Sequence, residues 1–377
     1  MPRDALVLSP YDAASHIRWR RGLARHLTEY RWEALPLPAR CHSWRARGNS
    51  LSYAFAHRDT LTAPRDLLLA TSVTDLCALR GFVPELARLP TLVYLHENQF
   101  AYPSRDGTNT LHLQLQDIYT ALCADVLASN STYNLHTLLR GARALLHRLP
   151  DAVPPGLPER IEARARVLPV PLDDSMFTKD PLATRELDAP VSLVWNHRWE
   201  HDKAPERFVD AMLALDALGH DFTLHVVGQR FRTAPPCFEE LRARLPHRLS
   251  TFGFVEDVDD YHRILASSDL ILSTALHDFQ GLAVLEACAM GCVPVLPDRV
   301  AYPEYTRPEH RYSSSEAHDP DVRALVAHLD ALLTSPSWRA RSDARADVSR
   351  FRWSRLRDAY LDTLETTLTA HREAQAP

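Results

Sequence analysis

The segments Trp195-Asn-His-Arg-Trp-Glu-His-Asp-Lys203 and His277-Asp-Phe-Gln-Gly-Leu-Ala-Val-Leu-Glu286 each follow a short apolar run and precede a helical pattern. Two strand-to-helix turns in one domain point at the same crevice, because ligands of open α/β sheets bind outside the carboxyl ends of the strands. The first turn supplies cations. Arg198 can grip a diphosphate with a planar fork, and Lys203 can act as a point charge. The second supplies Glu286, a carboxylate on an otherwise apolar helix, where burial is costly unless it meets paired donors such as a ribose diol. Gly281 and Leu282 open that helix, whose free N–H groups and positive dipole end favour a phosphate. Ordinary surface charges are the competing reading. Composition weakens it, since Lys179 and Lys203 are the only lysines in a chain that otherwise writes its cations as arginine.

Working outward, residues 192–196, 223–227, 251–254, 270–274 and 293–296 read as strands, with helices after most of them. The helix carrying Glu286 ends at Gly291, a fitting cap. The first half repeats the logic, with strands at 5–9, 67–70, 92–96 and 126–129 and helical stretches at 16–30, 111–124 and 132–146. A Pro-rich passage, 150–158, precedes one more strand at 166–170; residues 171–190 read as a linker and 353–372 as a final helix. The pattern predicts an α/β protein of two Rossmann-like doubly wound domains facing across a cleft, 1–180 and 181–352. Residues 353–377 are expected to form a C-terminal helix returning toward the first domain.

With 377 residues, 45% of them hydrophobic, and a formal charge of −5, the chain can bury two real cores. Its six cysteines fall in no zinc spacing, and reduced thiols of a cytoplasmic protein are the expectation. Neither a signal peptide nor a membrane span is visible. Residues 1–180 carry 21 Lys and Arg against 18 Asp and Glu, and the remainder carries 22 against 30, so the halves stand at +3 and −8. That asymmetry leaves room for a polyanion on the first half.

The pairing of Arg198 and Lys203 with an acid-x7-acid segment from Asp278 to Glu286 resembles the retaining GT-B glycosyltransferases of family 4. Their motif begins with Glu where this chain has Asp278. Within that family, His42-Ser-Trp-Arg-Ala-Arg47, Tyr94-Leu-His-Glu-Asn-Gln99 with Tyr102-Pro103, Trp199-Glu-His-Asp-Lys203 and Ala301-Tyr-Pro-Glu304 are similar to the tRNA-queuosine mannosyltransferases. The resemblance implies a GT-B fold, with a tRNA-binding acceptor domain first and a nucleotide-sugar domain second. It implies that Arg198 and Lys203 hold the donor diphosphate and stabilise its charge as the glycosidic bond breaks. Glu286 is expected on the ribose, Asp278 on the donor hexose, Gly253 and Phe254 near the base, and His96 facing the reacting sugar from the acceptor side. A structural histidine at a strand end is the alternative for His96. His16, Glu97 and Asn98 are expected on the substrate. The first loop, Pro10-Tyr-Asp-Ala-Ala-Ser15, lacks the glycines common in such enzymes, which makes close approach of a ligand harder.

The implied donor is GDP-mannose or another nucleotide sugar, with no metal and no bound cofactor. No Asp-x-Asp triplet is read as a metal site. For tRNA, Arg18-Trp-Arg-Arg21 with Arg25, and Trp44, Arg45 and Arg47, interleave aromatic rings and guanidinium groups as single-stranded RNA requires. Trp19 reads better as part of a buried stripe with Leu23 and Leu27. Three alternatives stay open: a small or lipid-linked acceptor, a GT-B-fold sugar-nucleotide epimerase, and an inactive tRNA-binding relative. The oligomeric state is not legible.

Overall fold

The computed structural model describes residues 1–102, 110–149, 151–177, 189–229 and 234–376. The chain divides into two units, Met1–Pro171 with Trp353–Pro377, and Leu172–Arg352.

In the first unit the strands are β1 (Arg3–Asp12), β2 (Tyr30–Pro38), β3 (Leu67–Thr71), β4 (Thr91–Leu95), β5 (Val126–Ser129) and β6 (Ala165–Val167). They pair in parallel in the order β2-β1-β3-β4-β5-β6. Every residue of β3, β4 and β5 is buried, so these strands read as unbroken apolar runs rather than alternating ones. The order reverses between β1 and β3, which makes that the ligand-binding switch point of a doubly wound sheet.

Two elements depart from the sequence reading. The first helix ends at His26 rather than at residue 30, and the chain continues into β2, which the sequence did not disclose. As an edge strand, β2 tolerates Pro36 and Pro38 and alternates poorly. Likewise, His42-Ser-Trp-Arg-Ala-Arg47 opens a 15-residue helix, His42–Ala56. Its apolar residues are partly on the outside, which hid the helical period.

In the second unit the strands are β7 (Val191–Asn196), β8 (Phe222–Val227), β9 (Leu249–Gly253), β10 (Leu270–Leu272), β11 (Val293–Pro297) and β12 (Arg311–Tyr312). Their order is β12-β11-β10-β7-β8-β9, all parallel. Read from the other edge this is the dinucleotide-fold order, with its switch between β7 and β10. The two-residue β12 was too short to carry a sequence signal.

The boundary lies between Pro171 and Leu172, not at 180/181. Leu172 donates its N–H to Phe351 O at 2.8 Å, and Leu172 and Met176 belong to a core cluster of the second unit. The start of the expected linker is therefore core, while residues 178–188 lie outside the described set. The last helix, Trp353–Gln375, belongs to the first unit. Trp353 stacks on His26 with ring centroids 4.7 Å apart. Tyr360 accepts a hydrogen bond from Trp19 Nε1 at 2.9 Å, which explains why Trp19, with Leu23 and Leu27, is buried. Among the described residues no helix is long and apolar enough to cross a membrane.

Candidate functional site

The Trp195–Lys203 and His277–Glu286 segments both sit at the β7/β10 switch point, and hydrogen bonds tie them together. Trp195 Nε1 donates to Thr274 Oγ1 at 3.2 Å, and Thr274 Oγ1 donates to Lys203 O at 2.8 Å. The N–H groups of Leu276 and His277 both donate to Asp202 O, at 2.9 and 3.2 Å.

The two expected diphosphate cations differ in kind. Lys203 is only 7% exposed. Its Nζ donates to His277 O at 2.6 Å and pairs with Asp202 at 3.2 Å and Asp278 at 3.6 Å. One donor of the ammonium group is given to the carbonyl, and the two carboxylates stand at ion-pair distance. Arg198 instead has a side chain 45% exposed, with Glu200 at 2.9 Å and Asp202 at 3.8 Å. Arg198 is thus the cation presented outward, and Lys203 fastens the loops.

The carboxylates are organised just as tightly. Burial pushes the Asp278 carboxyl up, but Lys203, the neighbouring histidines and Tyr302 outweigh it and hold the group below its ordinary value. Asp278 Oδ1 accepts the Gly281 N–H at 2.9 Å, and Oδ2 accepts the Tyr302 hydroxyl at 3.1 Å. Tyr302 also shares a hydrogen bond with Ser273 at 2.8 Å. Gly281 has φ +77°, and a Cβ there would stand 2.6 Å from Tyr305 Oη and 2.8 Å from the Tyr302 ring. Only glycine satisfies that space and that dihedral. The helix it introduces, Leu282–Ala289, leaves its first N–H groups without intrahelical acceptors. Glu286 is buried on this helix and accepts the Tyr261 hydroxyl at 2.6 Å, while Asn196 Nδ2 donates to Tyr261 Oη at 2.7 Å.

His197 lies beneath the two loops. Burial, with the Lys203 charge second, drives its pKa down to about 3, so the ring is neutral. Gly228 packs against this turn so closely that a Cβ would meet His197 O at 1.8 Å. At the next strand, Gly253 ends β9 and Phe254 is exposed. Phe254, Thr251, Val255 and Arg263 line an open cleft.

In the first unit His16 and His96 stack with ring centroids 4.0 Å apart, and Trp19 meets His96 edge-on at 4.7 Å. Burial lowers both pKa values, and each histidine's proximity to charge is secondary. His16 Nδ1 and His96 Nε2 have no hydrogen-bond partner among the described residues. Glu97 accepts the Tyr102 hydroxyl at 2.7 Å; Pro103, beside it, lies outside the described set. Asn98 departs from its expected substrate contact. It is fully buried, donates to Asn134 and Thr137, and accepts the N–H groups of Phe100 and Ala101 at 2.9 and 3.2 Å. Its amide shapes the loop and has nothing left for an acceptor. Trp44 and Arg47 are exposed on the helix His42–Ala56, Arg45 is half-buried, and Arg47 Nε donates to His112 Nε2 at 2.6 Å.

Sequence reasoning missed Tyr302, Tyr261, Asn196, His197 and Gly228. Position inside a quoted motif was the available signal for Tyr302, Asn196 and His197, while Tyr261 and Gly228 stand in none. Two Asp-x-Asp triplets do occur, Asp257-Val-Asp259 and Asp319-Pro-Asp321. Asp257 caps a helix and Asp321 pairs with Arg207 and Arg299. Among the described residues no three His, Cys, Asp or Glu side chains form a metal-holding group.

Residues 4–172 match the model of the tRNA-queuosine alpha-mannosyltransferase N-terminal domain, and residues 191–335 match that of the glycosyl transferases group 1. A tRNA-queuosine alpha-mannosyltransferase of Drosophila melanogaster is 33% identical over 323 residues, 83% of this chain and 84% of the relative. Among solved structures, Anabaena HepE in complex with UDP and glucose superposes with a TM-score of 0.70 at 12% identity, over 97% of this chain and 100% of that one. Sucrose-phosphate synthase from Thermosynechococcus elongatus gives a TM-score of 0.66 at 15% identity, over 98% and 100%. These two show the fold, the GT-B arrangement of two six-stranded parallel sheets with helices. The likeness to the Drosophila relative over 83% of the chain, together with the two family models, shows that the chain belongs to the tRNA-queuosine alpha-mannosyltransferase family of glycosyltransferases.

Proposed function

We propose that this chain transfers mannose from GDP-mannose to a hydroxyl of queuosine in a tRNA anticodon loop, with retention at the anomeric carbon. The observation that carries the reading is the fastening of the β7 and β10 loops around Lys203, which sets Arg198, Asp278, the Gly281 helix end and Glu286 around one switch point. Outward-facing Arg198 and the N–H groups at Leu282 receive the diphosphate and stabilise charge as it leaves. Glu286, aligned by Tyr261, takes the ribose hydroxyls. Asp278 meets the hexose, and the leaving phosphate itself accepts the proton of the attacking hydroxyl. Gly253 and Phe254 lie toward the base, and His96 and Glu97 serve the acceptor side. A cytoplasmic location belongs to the same proposal, with a tRNA acceptor as its support.

Mass spectrometry of queuosine from host tRNA, with and without this gene, tests acceptor and activity together. A hexose-sized mass difference is expected, and its absence would overturn the reading. Incubating the purified chain with GDP-mannose or UDP-sugars, with and without tRNA, separates donor identity and the epimerase alternative. An epimerase converts donor with no acceptor present.

A further inference from the structure

The helix His42–Ala56 carries a row of apolar side chains that its own unit leaves in solvent. Trp44, Leu51 and Phe55 are 52%, 42% and 75% exposed, and Phe82, ending the helix Leu76–Phe82, is 42% exposed. Positions 44, 48, 51 and 55 share one face of a helix. The gap in the row at position 48 is filled by Trp44 itself. A Cβ on Gly48 would stand 2.6 to 2.7 Å from the indole ring, so the ring lies flat along the helix with one face on backbone. Its other face meets solvent. At the far end the Phe55 and Phe82 rings stand 5.6 Å apart, inclined at 59°. From Trp44 to Phe55 the row spans roughly 16 Å along the helix axis.

Charge decides what such a row suits. Residues 34–58 contain no Asp or Glu and include Arg40, Arg45, Arg47 and Arg58. Arg47 lies beside the row and is steadied by His112 at 2.6 Å. Glu85, at the Phe82 end, is paired with Arg58 at 3.5 Å, and the Trp44 end carries Arg45 and Arg47 on a stretch with no carboxylate. Flat aromatic rings flanked by guanidinium groups are the chemistry of single-stranded nucleic acid binding. A protein partner's apolar face would need no such charge. We infer that the outer face of His42–Ala56, from Trp44 to the Phe55–Phe82 pair, is a stacking platform for unpaired bases of the substrate tRNA, extending beyond the nucleotide that is modified. The inference rests on the proposed tRNA acceptor and deepens it. It assigns Leu51, Phe55 and Phe82 to RNA and leaves them no part in the chemistry.

The test is binding of queuosine-containing tRNA by the full chain and its Phe55→Ala and Phe55→Tyr variants, with calorimetry against GDP and sedimentation in parallel. Phe55 is exposed, so thermal denaturation should find the variants folded. Loss of one base–aromatic stack predicts tRNA binding weakened by about 5- to 150-fold in Phe55→Ala, recovery in Phe55→Tyr, and unchanged GDP affinity. The dependence of binding on salt should stay as in the wild type, because stacking releases no counterions. Wild-type affinity in Phe55→Ala, while the wild type transfers hexose to tRNA, overturns the platform and leaves the proposed function standing. A self-association of the wild type that Phe55→Ala abolishes, with tRNA binding unchanged, overturns it in favour of a second copy. Failure of the wild type to bind or modify tRNA overturns both.

Discussion

Lys203 Nζ stands 2.6 Å from His277 O and 3.6 Å from Asp278 Oδ2, so the buried cation of one loop is committed to holding the other. Arg198, half-exposed and paired with Glu200 at 2.9 Å, is the cation that reaches the surface.

The two should therefore fail differently on substitution. Lys203→Ala leaves Asp202 and Asp278 with an uncompensated site and should destabilise the second unit by about 3–5 kcal/mol, the cost of breaking a buried pair. Arg198→Ala should leave the melting temperature nearly unchanged and weaken GDP binding by about 1.5–3 kcal/mol, the range for hydrogen bonds to charged groups. Calorimetry of unfolding and of GDP titration checks both.

A second prediction concerns the hydroxyl on Glu286. Tyr261→Phe removes the 2.6 Å hydrogen bond and should reduce GDP affinity by about 1–3 kcal/mol through misalignment of a buried carboxylate. Glu286→Gln should act on the same quantity. If the proposed division of labour holds, Asp278→Asn lowers turnover while GDP affinity stays nearly intact.

The acid side of the stability profile follows from the histidines. His16, His96 and His197 all have pKa values lowered by burial, His197 to about 3. Their neutral rings contribute full stability above the unfolded value of about 6.5, and that contribution is lost as pH falls from there toward the lowered values. The melting temperature should drop below pH 6.5 before the carboxylates titrate. Asp278 and Asp202, both held below the ordinary value, add losses only at lower pH, below about 3.9. His197→Phe, measured over the same pH series, should flatten the first limb if the variant folds.

Replacing Arg45 and Arg47 by Ala should weaken tRNA binding and flatten the plot of log affinity against log salt by about 0.7 for each phosphate that is no longer neutralised. GDP affinity should be unchanged. An unaltered slope would mean that neither guanidinium meets phosphate.

The fold was legible because β3, β4, β5, β7 and β10 are buried runs bounded by turn residues, and because Arg198, Lys203 and Glu286 are polar residues in apolar surroundings. What stayed hidden has physical causes. β2 is an edge strand whose prolines break the alternation that marks half-buried strands. The helix His42–Ala56 turns Trp44, Leu51 and Phe55 outward, so its period does not report a core. Tyr261 and Tyr302 reach their carboxylates from helical turns distant in sequence, and no local pattern records such a meeting. Nor does spacing distinguish an outward Arg198 from a buried Lys203. Asn98, polar and in a motif, looked like a ligand contact but is consumed by its own loop.

Trp353 and Tyr360 pack on Gly22 and Trp19, which has a consequence for biosynthesis. A chain made from its N-terminus completes β1 to β6 long before the residues that cover the first helix have been joined. The second unit has all its residues by Arg352 and can close while the first still waits. The last helix sets the order of maturation: the half of the molecule begun first is finished last, and a ribosome that stops before residue 353 releases it with the Trp19 Nε1–H lacking its Tyr360 acceptor.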